Sequence, residues 1–163
     1  MKARIFSIAL ATVSAAAIIA AGVAANGQTV GAVAAAAQVK VAERADDFRL
    51  VDHKSKTQLL SYYKNSPAVV IISQQNGAKA IRDAAAEIKA LQASFASKEV
   101  PLLLLNSNPA DNRDTIAAEM ASLGLDVPVL LDDTQLVGEG LGVSRVAQAI
   151  VIQPKTWKVV YSG

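Results

Sequence analysis

Apolar positions along this chain change period several times, and each change marks an element. Ala68-Val69-Val70-Ile71-Ile72, after Pro67, is an unbroken run of the kind that fills a strand buried on both faces. A polar turn at Asn76-Gly77 follows. Ile81, Ala84, Ala85, Ile88, Leu91 and Phe95 then recur at three- and four-residue steps. They form one helical stripe, with Arg82, Asp83, Glu87 and Lys89 on the wet side. Leu102 to Leu105 predicts a second buried strand. Asn108-Pro109 reads as a helix N-cap with a first-turn proline, and the helix carrying Ile116, Met120 and Leu123 stops at Gly124.

The ends of the chain are weaker in signal. Phe48, Leu50 and Val51 interleave with charged residues as a short strand does, His53-Lys54-Ser55-Lys56 is a polar turn, and Thr57 to Tyr63 reads as a short helix. Val127 to Leu131 predicts a strand, Leu136 to Leu141 a helical turn, and Ala149 to Ile152 a further strand. Lys158 to Tyr161 is its hairpin partner across Pro154-Lys155-Thr156. Strands alternating with helices and closing in a hairpin give an α/β fold with a mixed sheet, without internal repeat or second domain.

The first residues belong to another class. Lys2 and Arg4 open the chain, no charge occurs from Ile5 to Val39, and alanine dominates. That is the layout of a secretory leader. The expected organisation is a signal peptide over residues 1–25, extending to 37 if the second small-residue site is cut, a Gly/Ala-rich linker over 26–44, and one domain over 45–163. An uncleaved anchor is the competing reading, because Ile5 to Ala25 spans 21 residues and can cross a bilayer. Either reading places the domain in the periplasm or otherwise outside the cytoplasm, membrane-attached only if residues 5–25 are kept.

Charge and composition exclude some partners. Setting aside Lys2 and Arg4 reduces the 16 basic residues to 14, which balances the 14 acidic ones. With no basic stripe and 4% aromatic residues, nucleic-acid binding is not expected. No P-loop, dinucleotide fingerprint or nucleophile elbow is present, and no cofactor is expected. Gly138-Glu139-Gly140-Leu141-Gly142 lacks the spacing of a phosphate cradle, and Ser73 has no histidine base beside it. His53 reads as a surface histidine in a charged turn, Asp132-Asp133 as strand-end or capping residues, and Asp111 and Asp114 as acids in the first turns of a helix, not as metal ligands. There is no cysteine, so no disulfide contributes to stability in an exported protein.

That last absence stands out at one place. VVIISQQNGAKAIR, Val69 to Arg82, resembles the active-site strand, loop and helix of thioredoxin-like redoxins, the group that includes the alkyl hydroperoxide reductase/thiol-specific antioxidant family. Many such relatives carry G-N-G-C-P-[IV]-x-R there; here Gln75, Asn76, Gly77, Ala78, Lys79, Ala80, Ile81 and Arg82 stand in order, with Ala78 in the cysteine position. DDFRLVD, LNSNPADNRDTIAAE, VPVLLDDTQLVGEGLGVSR and IVIQPKTWKVVYSG extend the resemblance from about Asp47 to Gly163. It implies a thioredoxin-like fold and, in the family, thiol chemistry.

Three departures qualify that implication. Alanine has nothing to ionise at a helix N-terminus that would stabilise a thiolate. Peroxide reduction or disulfide exchange by the family's route is therefore excluded, and the Pro and Thr expected upstream are replaced by Ile71 and Gln75. The proline that faces the active site in thioredoxins is also missing: Gly142-Val143-Ser144-Arg145 is followed by Val146-Ala147, where a trans peptide is expected. Finally, the sequence ends at Gly163 without the terminal helix of such folds. Either apolar sheet near Val159 and Tyr161 is left for a partner, or the sequence is truncated.

The expected function is a non-catalytic binding or accessory module with a protein partner in the periplasm, a redox protein being one candidate. The alternatives are a thiol-independent enzyme or small-anion binder at Asn76, Lys79, Arg82 and Arg145, or a degenerate relic of a peroxiredoxin-like oxidoreductase. Plain solvated charge is the competing reading of Lys79 and Arg82.

Overall fold

The computed structural model describes residues 42–163. The expected leader and nearly all of the expected linker lie outside the described residues. Among the described residues, no helix is long and apolar enough to cross a membrane.

The elements run β1 (Arg49–Asp52), β2 (Thr57–Leu59), a 3-10 turn (Leu60–Tyr63), β3 (Val69–Gln74), α1 (Lys79–Ala96), β4 (Leu102–Asn106), α2 (Arg113–Leu123), β5 (Val129–Leu131), α3 (Leu136–Leu141), β6 (Ala149–Gln153) and β7 (Lys158–Ser162). They build one mixed sheet in the order β2-β1-β5-β4-β3-β6-β7. β3, β4 and β5 are parallel neighbours and the remaining pairs are antiparallel. Every residue of β3 and of β4 is buried, which explains their unbroken apolar runs.

Alternation along these central strands divides the core. Val69 and Ile71 join Leu103, Leu105, Ile150 and Ile152 on one face, which Leu60, Leu141 and Phe48 cover. Val70 and Ile72 join Leu102 and Leu104 on the other face, under Ile81 and Ile88 of α1 and Ile116 and Met120 of α2. A leucine in so dry a position, such as Leu104, contributes about 3 kcal/mol against alanine.

Several expectations change. Thr57–Leu59 is strand, not helix: it pairs with Arg49–Val51, and only Leu60–Tyr63 turns helically. The cause is the turn between the two strands, where Asp52 Oδ1 accepts from the N–H groups of Lys54 and Lys56, each at 2.9 Å. That closure brings Thr57 back alongside Val51, and cross-strand pairing outweighs local helix preference. The N-cap of α2 is Asn112 rather than Asn108. Asn108 Oδ1 serves an earlier turn, accepting from Ala110 N–H at 3.2 Å.

The chain also packs before Ala45: Ala42 lies against the core and Arg44 forms a β-bridge with Lys158. β7 is the last element. A bulge leaves Val160 unpaired between the pairs Val151 with Tyr161 and Ile152 with Val159. Val159 therefore turns into the core, and of the two residues expected on an open sheet face only Tyr161, 55% exposed, is there. The Val146–Ala147 peptide is trans, with Ala147 at φ 61°.

Candidate functional site

β3 and β4 end side by side, and each ends in a carboxamide. Gln74 lies opposite Asn106 in the parallel register, and Asn106 Nδ2 donates to Gln74 Oε1 at 2.7 Å. The same amide donates to Asp111 Oδ2 at 2.8 Å, while Gln74 Nε2 donates to Asn76 Oδ1 at 2.9 Å. Buried polar groups at strand ends must find partners, and here they find one another. The result is a small polar lattice at the carboxyl ends of the central strands.

The lattice holds the β3–α1 loop. Asn76 N–H donates to Asp111 Oδ2 at 3.0 Å and Gly77 N–H donates to Glu119 Oε2 at 2.6 Å. Gly77 sits at φ 70°, a left-handed conformation that lets the loop turn into the helix without Cβ strain. Ala78 then occupies the N-cap position of α1 with no side-chain cap. Its N–H donates to Gln75 O at 3.2 Å. The thiol position thus lies one residue beyond a loop whose two N–H groups are already taken by carboxylates.

Asn76, Lys79 and Arg82 are carried on this same loop and first helical turn, and each already has a partner. Lys79 Nζ pairs with Asp83 one turn along, in an exposed i, i+4 contact. Arg82 Nη1 donates to Gly77 O. Arg145 lies on the segment before β6. Its backbone carbonyl accepts from Ser73 Oγ at 2.6 Å, which ties that segment to the end of β3. No hydrogen bond or ion pair joins its guanidinium to the other three. Ser73 Oγ also accepts from Gln148 N–H at 2.9 Å, so its hydroxyl fastens the end of β3 to the segment before β6.

Beside the loop a cleft of about 230 Å³ opens between Gln74, Gln75, Ser107, Asn108, Gln135 and Val146, with no charged side chain in its lining. None of Asn76, Lys79, Arg82 and Arg145 lines it. Neutral amides and hydroxyls can bind and orient a ligand. They offer no acid, base or nucleophile matched to catalysis. Among the described residues, no three histidine, aspartate or glutamate side chains gather as a metal site.

Reasoning from sequence missed Gln74, Asn106, Asp111 and Glu119 as residues of this site. A polar amide closing each of two long apolar runs was the available signal for the first two. Nothing in the local pattern marks Asp111 and Glu119, which reach the loop from positions 35 and 42 residues later. Asp132 does act as the expected capping residue: its carboxylate accepts from Gly138 N–H at 2.8 Å and Ser107 Oγ at 2.7 Å. His53 is not on the surface. It is 8% exposed, and its Nδ1 accepts from Val129 N–H at 3.1 Å. Burial pushes its pKa below 6.5, and the neighbouring Lys54 pushes in the same direction.

The sequence matches the AhpC/TSA family over residues 41–162. Comparison with curated proteins gives no match. Among solved structures, a hypothetical protein from Sinorhizobium meliloti 1021 is 23% identical with a TM-score of 0.68, over 76% of this chain and 69% of its own. A peroxidoxin from Mycobacterium tuberculosis is 20% identical with a TM-score of 0.63, over 76% and 84%. The thioredoxin domain of a thiol-disulfide oxidoreductase from Bacteroides vulgatus is 15% identical with a TM-score of 0.64, over 75% and 86%. These identities bear on the fold alone, and the fold is thioredoxin-like. Matched over three quarters of its length and built on that fold, the chain belongs to the AhpC/TSA family, as a member with alanine where its relatives' pattern has the thiol.

Proposed function

We propose that this protein is a pseudoenzyme of its family: an exported, non-catalytic binding subunit of a periplasmic redox assembly. The observation that carries the reading is the state of the former thiol site. Ala78 supplies no nucleophile, and the two loop N–H groups before it are closed by Asp111 and Glu119. A small anion at this mouth would have to displace two carboxylates and face their charge, since Lys79 and Arg82 are already engaged. Two openings remain beside the loop: a neutral, amide-lined cleft at the sheet end, which suits recognition better than chemistry, and an open hollow toward α2 lined by Asn76, Gly77, Asp111 and Glu119, whose carboxylates disfavour an anion. The basic start at Lys2 and Arg4, followed by a charge-free, alanine-rich stretch from Ile5 to Val39, supports export.

The experiment is affinity capture of the native protein from a mild periplasmic and membrane extract, followed by mass spectrometry. A stoichiometric companion that carries a redox centre is expected. A monodisperse monomer of intact mass with no companion would count against the proposal.

A further inference from the structure

On the sheet face opposite α1, the segment before β1 runs across α3 and leaves a groove between them. One end of the groove is a pit of about 150 Å³ walled by Phe48, Val137 and Leu141, with Leu136 at its lip and Asp46 and Asp47 on its rim. Leu136 is 68% exposed, the most exposed large apolar side chain among the described residues. Across Gly140 the groove continues between Glu43, Arg44 and Glu139. Four carboxylates therefore face one guanidinium along its length, and none of the five is in a salt bridge.

Both walls are held rigidly. Asp132, fully buried, fixes the first turn of α3 through Gly138 N–H and ties it to Ser107 Oγ. Gln135, at φ 64°, then turns the chain so that Leu136 begins the helix outside the core. On the other wall Ala45 N–H donates to Trp157 O at 2.8 Å and Leu60 N–H to Phe48 O at 3.1 Å. Asp47 Oδ1 accepts from Ser61 N–H at 2.9 Å. A single exposed leucine needs no explanation. A leucine held at the lip of an apolar pit, beneath carboxylates that form no salt bridge, is the arrangement of an interface anchor, with little ordering cost left to meet on binding.

We propose that this groove docks a cationic segment of a partner protein, with one apolar side chain in the pit and flanking lysine or arginine side chains against Glu43, Asp46, Asp47 and Glu139. The pit holds about one leucine- or methionine-sized side chain, and the excess of carboxylates selects against acidic partners. No residue of the β3–α1 loop lines the docking surface, and the proposal stands whether or not that loop is inert.

The test is an NMR titration of the whole protein, as isolated from cells, with three blocked pentapeptides: Lys-Lys-Leu-Lys-Lys, Lys-Lys-Ser-Lys-Lys and Glu-Glu-Leu-Glu-Glu. The first is expected to bind at least about ten-fold more tightly than either of the others, shifting Phe48, Leu136 and Val137. Leu136→Ser should remove that preference for leucine over serine. Asp46→Asn should weaken the first peptide about two- to three-fold and flatten its salt dependence. Both replaced side chains are exposed, so the variants should melt with the parent protein. Equal affinity for the three peptides, or shifts outside the groove, would overturn the proposal. Concentration-dependent shifts of these residues without peptide would overturn it in favour of self-association.

Discussion

The two helices beside the Ala78 loop begin in opposite ways. α2 is capped by its own residues: Asn112 Oδ1 accepts from Asp114 and Thr115 N–H at 3.1 and 3.0 Å, and Thr115 Oγ1 accepts from Asn112 N–H at 3.0 Å. α1 starts at an alanine that caps nothing. The loop before it is instead tied by Asp111, just ahead of α2, and by Glu119 within it. One helix start is written in four consecutive residues, while the other depends on the tertiary fold. Carboxylates also make the α1 entrance a poor place for a second negative charge, whether thiolate or ligand.

Breaking the long-range tie should cost most. Asp111→Ala leaves the Asn76 N–H and one hydrogen of the buried Asn106 amide without their acceptor, and should lower unfolding stability by about 2 kcal/mol. Asn112→Ala removes only the local box and should cost about 1 kcal/mol. Urea unfolding of the pair decides the comparison. An Asn112 variant as damaged as the Asp111 variant would mean that the loop is not held as described.

His53 provides a second long-range tie, 76 residues from its partner Val129. Its folded pKa is lowered, so the unfolded chain binds the proton more readily. Its contribution to stability is therefore present in full above pH 6.5 and is lost as the pH falls from there toward the lowered folded value. Thermal melts across that range should fall more steeply in the parent than in His53→Gln. The smallest effect belongs to Lys79→Ala, whose exposed i, i+4 ion pair should contribute no more than about 0.5 kcal/mol.

Legibility in the sequence follows the same division. The strands at Val69–Gln74 and Leu102–Asn106 and the helix at Lys79–Ala96 were visible because burial on two faces, or on one stripe, leaves a period in the residues themselves. Thr57–Leu59 was misread because its strand state comes from pairing across a turn that Asp52 closes. The α2 start was displaced by the stronger-looking Asn108-Pro109 pair, although Asn112 and Thr115 were equally in view. His53 looked exposed because its sequence neighbours are charged, while its side chain answers to Val129. At the candidate site the alanine at position 78, where the resembling pattern has cysteine, was plain. The ties that hold the loop there were not, since Asp111 and Glu119 meet it only in three dimensions.

The most direct measurement is the titration of a thiol restored at the entrance. In Ala78→Cys, the pH dependence of alkylation by iodoacetamide should give a thiol that ionises no more readily than free cysteine, near about 8.5, because the nearby carboxylates oppose the helix N-terminus. Adding Glu119→Gln should move it lower, and hydrogen peroxide should oxidise the single variant no faster than it does free cysteine. A thiol ionising below about 7 in the single variant, with saturable peroxide reduction, would contradict the account and reveal an activating environment still intact.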